Sequence, residues 1–430
     1  MVGSVGDGVK HRFATFWDTT SIVQLALYGL LAAAIPIGVL WYLLGRDGGS
    51  GETATDTVAA TEMGAGIAAT TTTQAPPPEL SELDPFFVVG DEIVDPYGNL
   101  FVPIGTNAAI RVADYPYVFD GGNGGVNGQV DAVKAWGWNT VRANLSCYDE
   151  SGEPSQRQII DGIDETVREL TEAGIVVILA CHDATGDDPQ LNGPLEVQVR
   201  AFWDEVVPKY ADNPYVWFNF FNEPYTTDDT EPWVELHQFY YDRYRDQGVN
   251  NIMIFDLPLY GQGIHLAAEG EFVEPLGNAC NTILGWHAWG SLSGVQATEA
   301  DYANYSKAVT DRDLAVMIGE AGVPFPPSAG TAGNPEWNET GYYAALEVAR
   351  SSNIGLLWWH GTGDTSDDLY YPLKVDKSGF WTAGNSGNLT IAGATFWDFS
   401  HRERQTQAFA GDLTDSGCAA AAELESNPTD

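Results

Sequence analysis

Between residues 85 and 400, short apolar runs alternate with stretches of helical spacing, a pattern that predicts an α/β domain. The apolar runs fall at residues 100–107, 140–144, 176–182, 216–222, 251–256, 282–287, 315–320 and 355–359. Most are bounded on both sides by polar or turn-forming residues, as buried parallel strands are. Residues 159–173, where Val167 and Leu170 share one helical face, and residues 232–247 are examples of the intervening amphipathic segments. Eight such runs predict a closed (β/α)8 TIM barrel over 85–400. A doubly wound open sheet is the alternative, but no Gly-x-Gly-x-x-Gly follows the first run.

The pattern changes outside that region. Residues 19–45 carry no charge, and 21–44 are long and apolar enough to form one transmembrane helix. A secretory signal usually has an apolar core about half as long and is followed by a small-residue cleavage site, which is absent before Arg46. Lys10, His11 and Arg12 outnumber the single Arg46 after the span. This basic flank places residues 1–20 in the cytoplasm and the rest of the chain outside the cell. Residues 45–84, with Thr70-Thr71-Thr72-Thr73 and Pro76-Pro77-Pro78, have the composition of a disordered tether. Residues 401–430 read as a helix end and a frayed acidic tail.

Charge narrows the partners. The 60 Asp and Glu face only 19 Lys and Arg, a net charge of −41, so a nucleic-acid partner lacks the cations it would need. With 44% hydrophobic residues and 14 Trp the chain has ample material for a core. Such self-repulsion is relieved by concentrated salt, which predicts a halophilic host. Cys147, Cys181, Cys280 and Cys418 show no Cys-x-x-Cys spacing, and pairing is not legible from their positions.

In a barrel of this kind the chemistry sits where strands end. Asn107 ends the first run, Arg142 lies in the second and His182 ends the third. Asn222-Glu223 end the fourth, His287 ends the sixth, Glu320 the seventh, and Trp358-Trp359 the eighth. Glu223 and Glu320 each close a strongly hydrophobic run, so both should be partly desolvated. A carboxyl raised by burial and a carboxylate lowered by a neighbouring cation are the two groups needed to cleave a glycosidic bond. Either glutamate alone would equally suit an exposed strand end, and either histidine a satisfied barrel position; the combination is what points to a site.

These residues resemble glycoside hydrolase family 5, the cellulase-like retaining barrel enzymes. Tyr210-Ala211-Asp212-Asn213-Pro214-Tyr215-Val216 leading to Asn222-Glu223-Pro224-Tyr225 is similar to the family's fourth strand. Gly105-Thr106-Asn107, Trp136-Gly137-Trp138-Asn139-Thr140-Val141-Arg142, Ala180-Cys181-His182-Asp183 and Ile318-Gly319-Glu320-Ala321-Gly322 are similar to its first, second, third and seventh. The resemblance implies Glu223 as general acid/base, Glu320 as nucleophile, Asn222 on the sugar 2-hydroxyl and Arg142 beneath Glu320. It implies His182 and His287 in contact with sugar or glutamates, and Trp358 as an aromatic face at the cleavage point. The family's usual His-x-Tyr is here His287-Ala288-Trp289, whose indole can also donate to the nucleophile. Tyr115, Tyr117, Tyr225, Trp233, Tyr260, Trp286 and Trp337 are further candidates for sugar stacking or for core packing.

The resulting expectation is a monomeric, membrane-anchored extracellular endo-β-1,4-glucanase that acts on a neutral polysaccharide with retention and without cofactor or metal. Its carboxyl groups should lie about 5 to 5.5 Å apart. β-Mannanase activity on the same scaffold and a non-catalytic glycan-binding surface protein are the alternatives. A metal-dependent hydrolase lacks the His-x-His pair its first strand would carry.

Overall fold

The computed structural model describes residues 79–110, 125–147, 156–182, 185–292, 295–323, 335–359, 389, 391–402 and 406–420. The expected cytoplasmic segment, membrane span and nearly all of the tether lie outside the described residues, and so do Tyr115 and Tyr117. Among the described residues no helix is long and apolar enough to cross a membrane.

Eight parallel strands close into a barrel: β1 Ile104–Ile110, β2 Thr140–Leu145, β3 Val176–Cys181, β4 Val216–Asn219, β5 Met253–Asp256, β6 Thr282–His287, β7 Val316–Ala321 and β8 Leu356–Trp358. Each pairs with its neighbours in sequence, and β8 returns to β1 through Leu356↔Ile104 and Trp358↔Thr106. A helix follows every strand: α1 Gly125–Ala135, α2 Gln156–Glu172, α3 Pro194–Tyr210, α4 Glu231–Arg245, α5 Ile264–Glu269, α6 Glu299–Thr310, α7 Pro335–Ser351 and α8 Ile391–Ser400. The open-sheet alternative is thereby excluded.

The strands are apolar along their length because both of their faces are covered. Val177, Leu179, Phe218, Phe255, Leu284, Leu356 and Trp358 face the helix layer and pack with Trp203, Tyr240, Tyr342 and Phe396. The alternate positions Val176, Ile178, Trp217, Ile254, Ile283, Met317 and Leu357 fill the barrel interior. A hairpin of Phe87–Val89 and Glu92–Val94 lies against the same interior cluster, with Phe86 edge-on to Trp217 at 5.3 Å, so the floor is stoppered by aromatic packing. Above the apolar layers, the inward positions become polar.

Of the segment expected to be a helix end and frayed tail, residues 406–420 are described and pack on the barrel, and 421–430 lie outside the described residues. Ala408 bridges to Asn99, Leu413–Ser416 form a short 3-10 turn, and Cys418 is disulfide-bonded to Cys280 at the foot of β6. The second disulfide joins Cys147, just beyond β2, to Cys181 at the end of β3. Strand order brings these cysteines together across separations of 138 and 34 residues, which is why sequence spacing concealed them.

Candidate active site

The polar layer at the C-terminal ends of the strands is built by the two-residue period. Asn107, Arg142, Asn144, Asn219, Asp256 and His287 occupy the inward register of β1, β2, β4, β5 and β6, one or two steps above the apolar floor. Glu320 does not follow from that period. Met317 points inward and Ile318 outward, so a regular strand would turn Glu320 toward the helices. The register between β7 and β6 shifts between Ile318 and Glu320, which re-aims the carboxylate into the barrel and pairs Glu320 with His287.

Arg142 is the hub. Its guanidinium is buried and donates to Glu320 Oε1 at 2.8 Å, Asn107 Oδ1 at 2.9 Å, Asn222 Oδ1 at 2.6 Å and Asn219 Oδ1 at 2.6 Å, with Asp256 Oδ2 at 3.2 Å. A fixed fork of donors can satisfy this many acceptors at once, whereas a lysine could not. Asn222 in turn donates through Nδ2 to Thr185 Oγ1 at 2.8 Å.

Glu223 lies beyond the end of β4. The expected strand over 216–222 stops at Asn219, and Glu223 takes a left-handed φ of 48°. A non-glycine residue in this region is strained, and such strain persists where neighbours over-determine it. Here the Glu223 N–H donates to Asp256 Oδ2 at 3.2 Å, and its carbonyl accepts from Gly186 N–H at 3.1 Å. The turn delivers the carboxyl to His287, whose Nδ1 is 2.7 Å from Glu223 Oε1 and 3.5 Å from Glu320 Oε2.

One oxygen of Glu223, one of Glu320 and a ring nitrogen of His287 lie within 4.8 Å of one another. The two carboxyls thus bring one oxygen each into the same small cluster, close enough for both to reach a single bond. The same three groups offer donor atoms to a cation. That positive charge is already supplied by the Arg142 guanidinium on Glu320 and by the ring of His287.

Protonation separates the two glutamates. For Glu223, burial and then repulsion from Glu320 raise the pKa, and the contact with His287 offsets this only in part. For Glu320, burial also favours the neutral form, but His287, His182 and Arg142 outweigh it and hold the carboxyl below its ordinary range. Burial likewise opposes charge on His287, yet Glu320, Asp256 and the bond to Glu223 push it up to about 10. Asp256 is pulled down to about 2 because His287 and Arg142 overcome its burial. Arg142 and His287 thus face Glu320 and Asp256 as counter-charges, and the raised pKa of Glu223 favours its protonated form.

The structure brings together Arg142, His182, Asn222, Glu223, His287 and Glu320. His182 lies 3.8 Å from Glu320 and stacks on Trp359 with ring centroids 5.2 Å apart. Trp289 meets Trp359 edge-on at 6.4 Å, while the N–H of Ala288 donates to the Glu320 carbonyl at 2.8 Å. Trp358 is a correction. It was expected at the cleavage point, but Leu357 occupies the barrel interior, so period two sends Trp358 outward against Tyr342 and Phe396 and leaves Trp359 at the rim. Tyr225, Trp233 and Trp286 are buried core residues; Tyr260, by contrast, is 44% exposed.

Asp256 was missed. It ends β5, the one run to which no rim residue had been assigned, although an acid closing Ile252-Met253-Ile254-Phe255 is the same signal that marked Glu223 and Glu320. It touches Arg142, Asn219 and the Glu223 backbone, and lies 3.3 Å from Nε2 of His287. Space for it exists because Gly285 has no side chain: a Cβ there would stand 2.2 Å from Asp256 Oδ1. Asp256→Asn, which removes one of the two counter-charges that face both Arg142 and His287, is expected to lower kcat/KM by about 10- to 100-fold with the fold intact. Steady-state kinetics beside circular dichroism check this; a change under about twofold would show that the asparagines alone position the cluster.

Residues 111–364 match the family model described as cellulase (glycosyl hydrolase family 5). Among curated relatives, the "Mannan endo-1,4-beta-mannosidase" of Salipaludibacillus agaradhaerens is 25% identical over 315 residues, 72% of this chain and 91% of that protein. The "Beta-mannanase/endoglucanase A" of Caldicellulosiruptor saccharolyticus is 26% identical over 257 residues, and the match spans 59% of this chain but only 18% of that longer protein. The catalytic domain of an endoglucanase from Thermobifida fusca superposes with a TM-score of 0.56 at 17% identity, covering 74% of this chain and 97% of that domain, a likeness of fold.

Proposed function

The chain belongs to glycosyl hydrolase family 5, and from that premise and the geometry of the rim we propose that it cleaves β-1,4-linked backbones of neutral polysaccharides by double displacement with retention. The observation that carries the mechanism is the pair of facing carboxyls, one raised and one lowered, with an oxygen from each within the same 4.8 Å cluster. Glu320, ionised beside Arg142, attacks the anomeric carbon. Glu223 gives its proton to the leaving oxygen, then removes one from the water that hydrolyses the glycosyl–Glu320 ester. Asn222, held by Arg142 and Thr185, and His182 bind the sugar over Glu320, with Trp359 as its aromatic wall in place of Trp358.

The polymer we propose is β-1,4-mannan, with β-1,4-glucan as the second reading. Support for mannan comes from the mannosidase relative aligned over 91% of its length; support for glucan comes from the cellulase description of the family model. Reducing-sugar release at high salt from mannan and from a soluble cellulose derivative distinguishes them. Faster release from mannan is expected, faster release from cellulose would replace the substrate, and release from neither would end the hydrolase reading.

We place the barrel outside the cell as a monomer, tethered through residues 45–84 to a single span at 21–44. The uncharged apolar stretch supports the anchor, and two disulfides suit an oxidising compartment. A net charge of −41 supports operation at high salt.

A further inference from the structure

We infer that Trp203, a residue of the helix layer behind the catalytic cluster, is a positioning residue for the acid/base: its indole N–H secures the break in β4 that turns Asn222 and Glu223 into the site. This rests on the proposed hydrolysis and extends its machinery beyond the rim. The period of the strand would not deliver both residues. Trp217 fills the barrel interior, Phe218 faces the helices, and Asn219 turns inward to Arg142. Phe220 faces the helices again, and alternation would then send Phe221 inward and Asn222 outward. Instead Phe221 also packs in the helix layer, edge-on to Tyr240 at 5.2 Å, and Asn222 reaches Arg142 at 2.6 Å. Two consecutive outward residues thus move the chain out of phase by one position, which is what brings Asn222 to the inner side.

The break leaves a carbonyl to be satisfied. The ladders of β4 end at Ala180↔Asn219 on one side and Asn219↔Ile254 on the other, so the Phe220 carbonyl stands beyond both, on a residue with no exposed surface. A buried carbonyl without a partner is costly, and a chain that rejoined the ladder to pair it would lose the phase shift. The indole N–H of Trp203, on α3, donates to it at 3.0 Å. An indole nitrogen can only donate, and the ring is fully buried, held edge-on against Phe220 at 5.3 Å and Phe218 at 6.0 Å. Tyr244 stacks on Phe220 at 5.3 Å and completes the clamp. A helix therefore supplies the bond that a neighbouring strand would supply to regular β-structure.

Beyond the clamp, the Asn222 N–H rejoins β3 at the Cys181 carbonyl, 2.8 Å away, and Glu223 follows in its left-handed turn. The acid/base is thus set three residues after the carbonyl that Trp203 holds. Glu320, His287 and His182 face its carboxyl, Asp256 its backbone N–H, and Arg142 the adjoining Asn222. Those five groups come from other strands and fix where the carboxyl ends; Trp203 fixes how the chain arrives there.

The test compares wild type, Trp203→Phe and an enzyme with 3-benzothienylalanine in place of Trp203, which keeps the bicyclic shape and exchanges the N–H for sulfur. Each is assayed across the pH range on the polymer that the wild type cleaves, well below its melting temperature. Both replacements are expected to lose about tenfold in kcat/KM, because the acid/base is no longer held to its geometry. Both should also move the alkaline limb to lower pH, since a Glu223 freed toward water loses part of the burial that raises its pKa. A residue that only stabilised the fold would lower activity and leave that limb in place. Full activity in the benzothienyl enzyme would assign the effect to ring packing, and an unmoved limb in both would detach Trp203 from Glu223; either result overturns the inference. A wild type inactive on mannan and cellulose alike would refute the hydrolysis and the inference with it, a result distinct from an active wild type beside unaffected variants.

Discussion

Glu320→Ala is expected to lower kcat/KM on polysaccharide by about 10⁴-fold or more, because no other group on the described rim stands in line to form the covalent intermediate. The loss should be chemical rather than structural. Glu320 is buried beside Arg142, His182 and His287, and Ala leaves Arg142 and His287 with Asp256 as counter-charge and a vacated volume beneath the sugar. That volume suggests a rescue. With azide and a glycoside bearing an activated leaving group, the small anion should attack the anomeric carbon from the position of the missing carboxylate and release the α-glycosyl azide. Identification of that product by NMR would fix Glu320 as the nucleophile, while a fully active Glu320→Ala would remove it. The wild-type enzyme should also lose activity as pH falls through the pKa of Glu320, which its cations hold below the ordinary carboxylate range. The acid limb then belongs to protonation of the nucleophile.

Glu223→Ala is expected to divide substrates by the quality of their leaving group. On polysaccharide the departing alcohol needs a proton, and its loss should cost about 10²- to 10⁴-fold. On an aryl glycoside with a good leaving group the first step needs no acid, so the glycosyl–Glu320 ester should form rapidly. It should then accumulate, because no base activates water. A burst of phenolate followed by slow turnover is the expected trace, and a burst-free trace with unchanged polysaccharide activity would contradict the role. The alkaline limb of the wild-type pH profile should also vanish. Burial and the charge of Glu320 raise the pKa of Glu223, so wild-type activity falls as pH rises through that raised value and the acid is lost. The two limbs are properties of a coupled pair, and mutation of either glutamate should move the other's limb as well. Removing Glu320 takes away a repulsion, so Glu223 should titrate lower in Glu320→Ala than in the wild type.

Much of this was legible before any coordinates. The barrel could be read because parallel strands covered on both faces leave continuous apolar runs, and Val176–Cys181 is buried at every position. The two glutamates could be read because both close strongly apolar runs in company with an arginine, asparagines and histidines at the ends of other runs. Asp256 offered the same signal at the end of β5, and its role became evident only when Arg142 and His287 were seen to converge on it.

Other features were beyond one-dimensional reading. Trp358 and Trp359 are adjacent and chemically alike, and which of them reaches the cleft depends on the phase of β8, set by Leu357 packing into the barrel. The direction of Glu320 depends on a register shift against β6, a relation between two strands that neither strand's sequence contains. The disulfides depend on which strand ends become neighbours, and the left-handed turns at Glu223 and Tyr260 on hydrogen bonds from distant loops.

By itself, then, the order of apolar and polar residues determined that eight strands close, and that acids, an arginine and histidines gather at one end of them. That much follows from local periodicity and solvation, which act on each segment separately. Tertiary structure decided which carboxyl holds a proton and which tryptophan faces the groove, and it revealed the aspartate beneath the cluster. These are set by electrostatic fields and registers that arise only when segments far apart in the chain are brought within a few ångströms of each other.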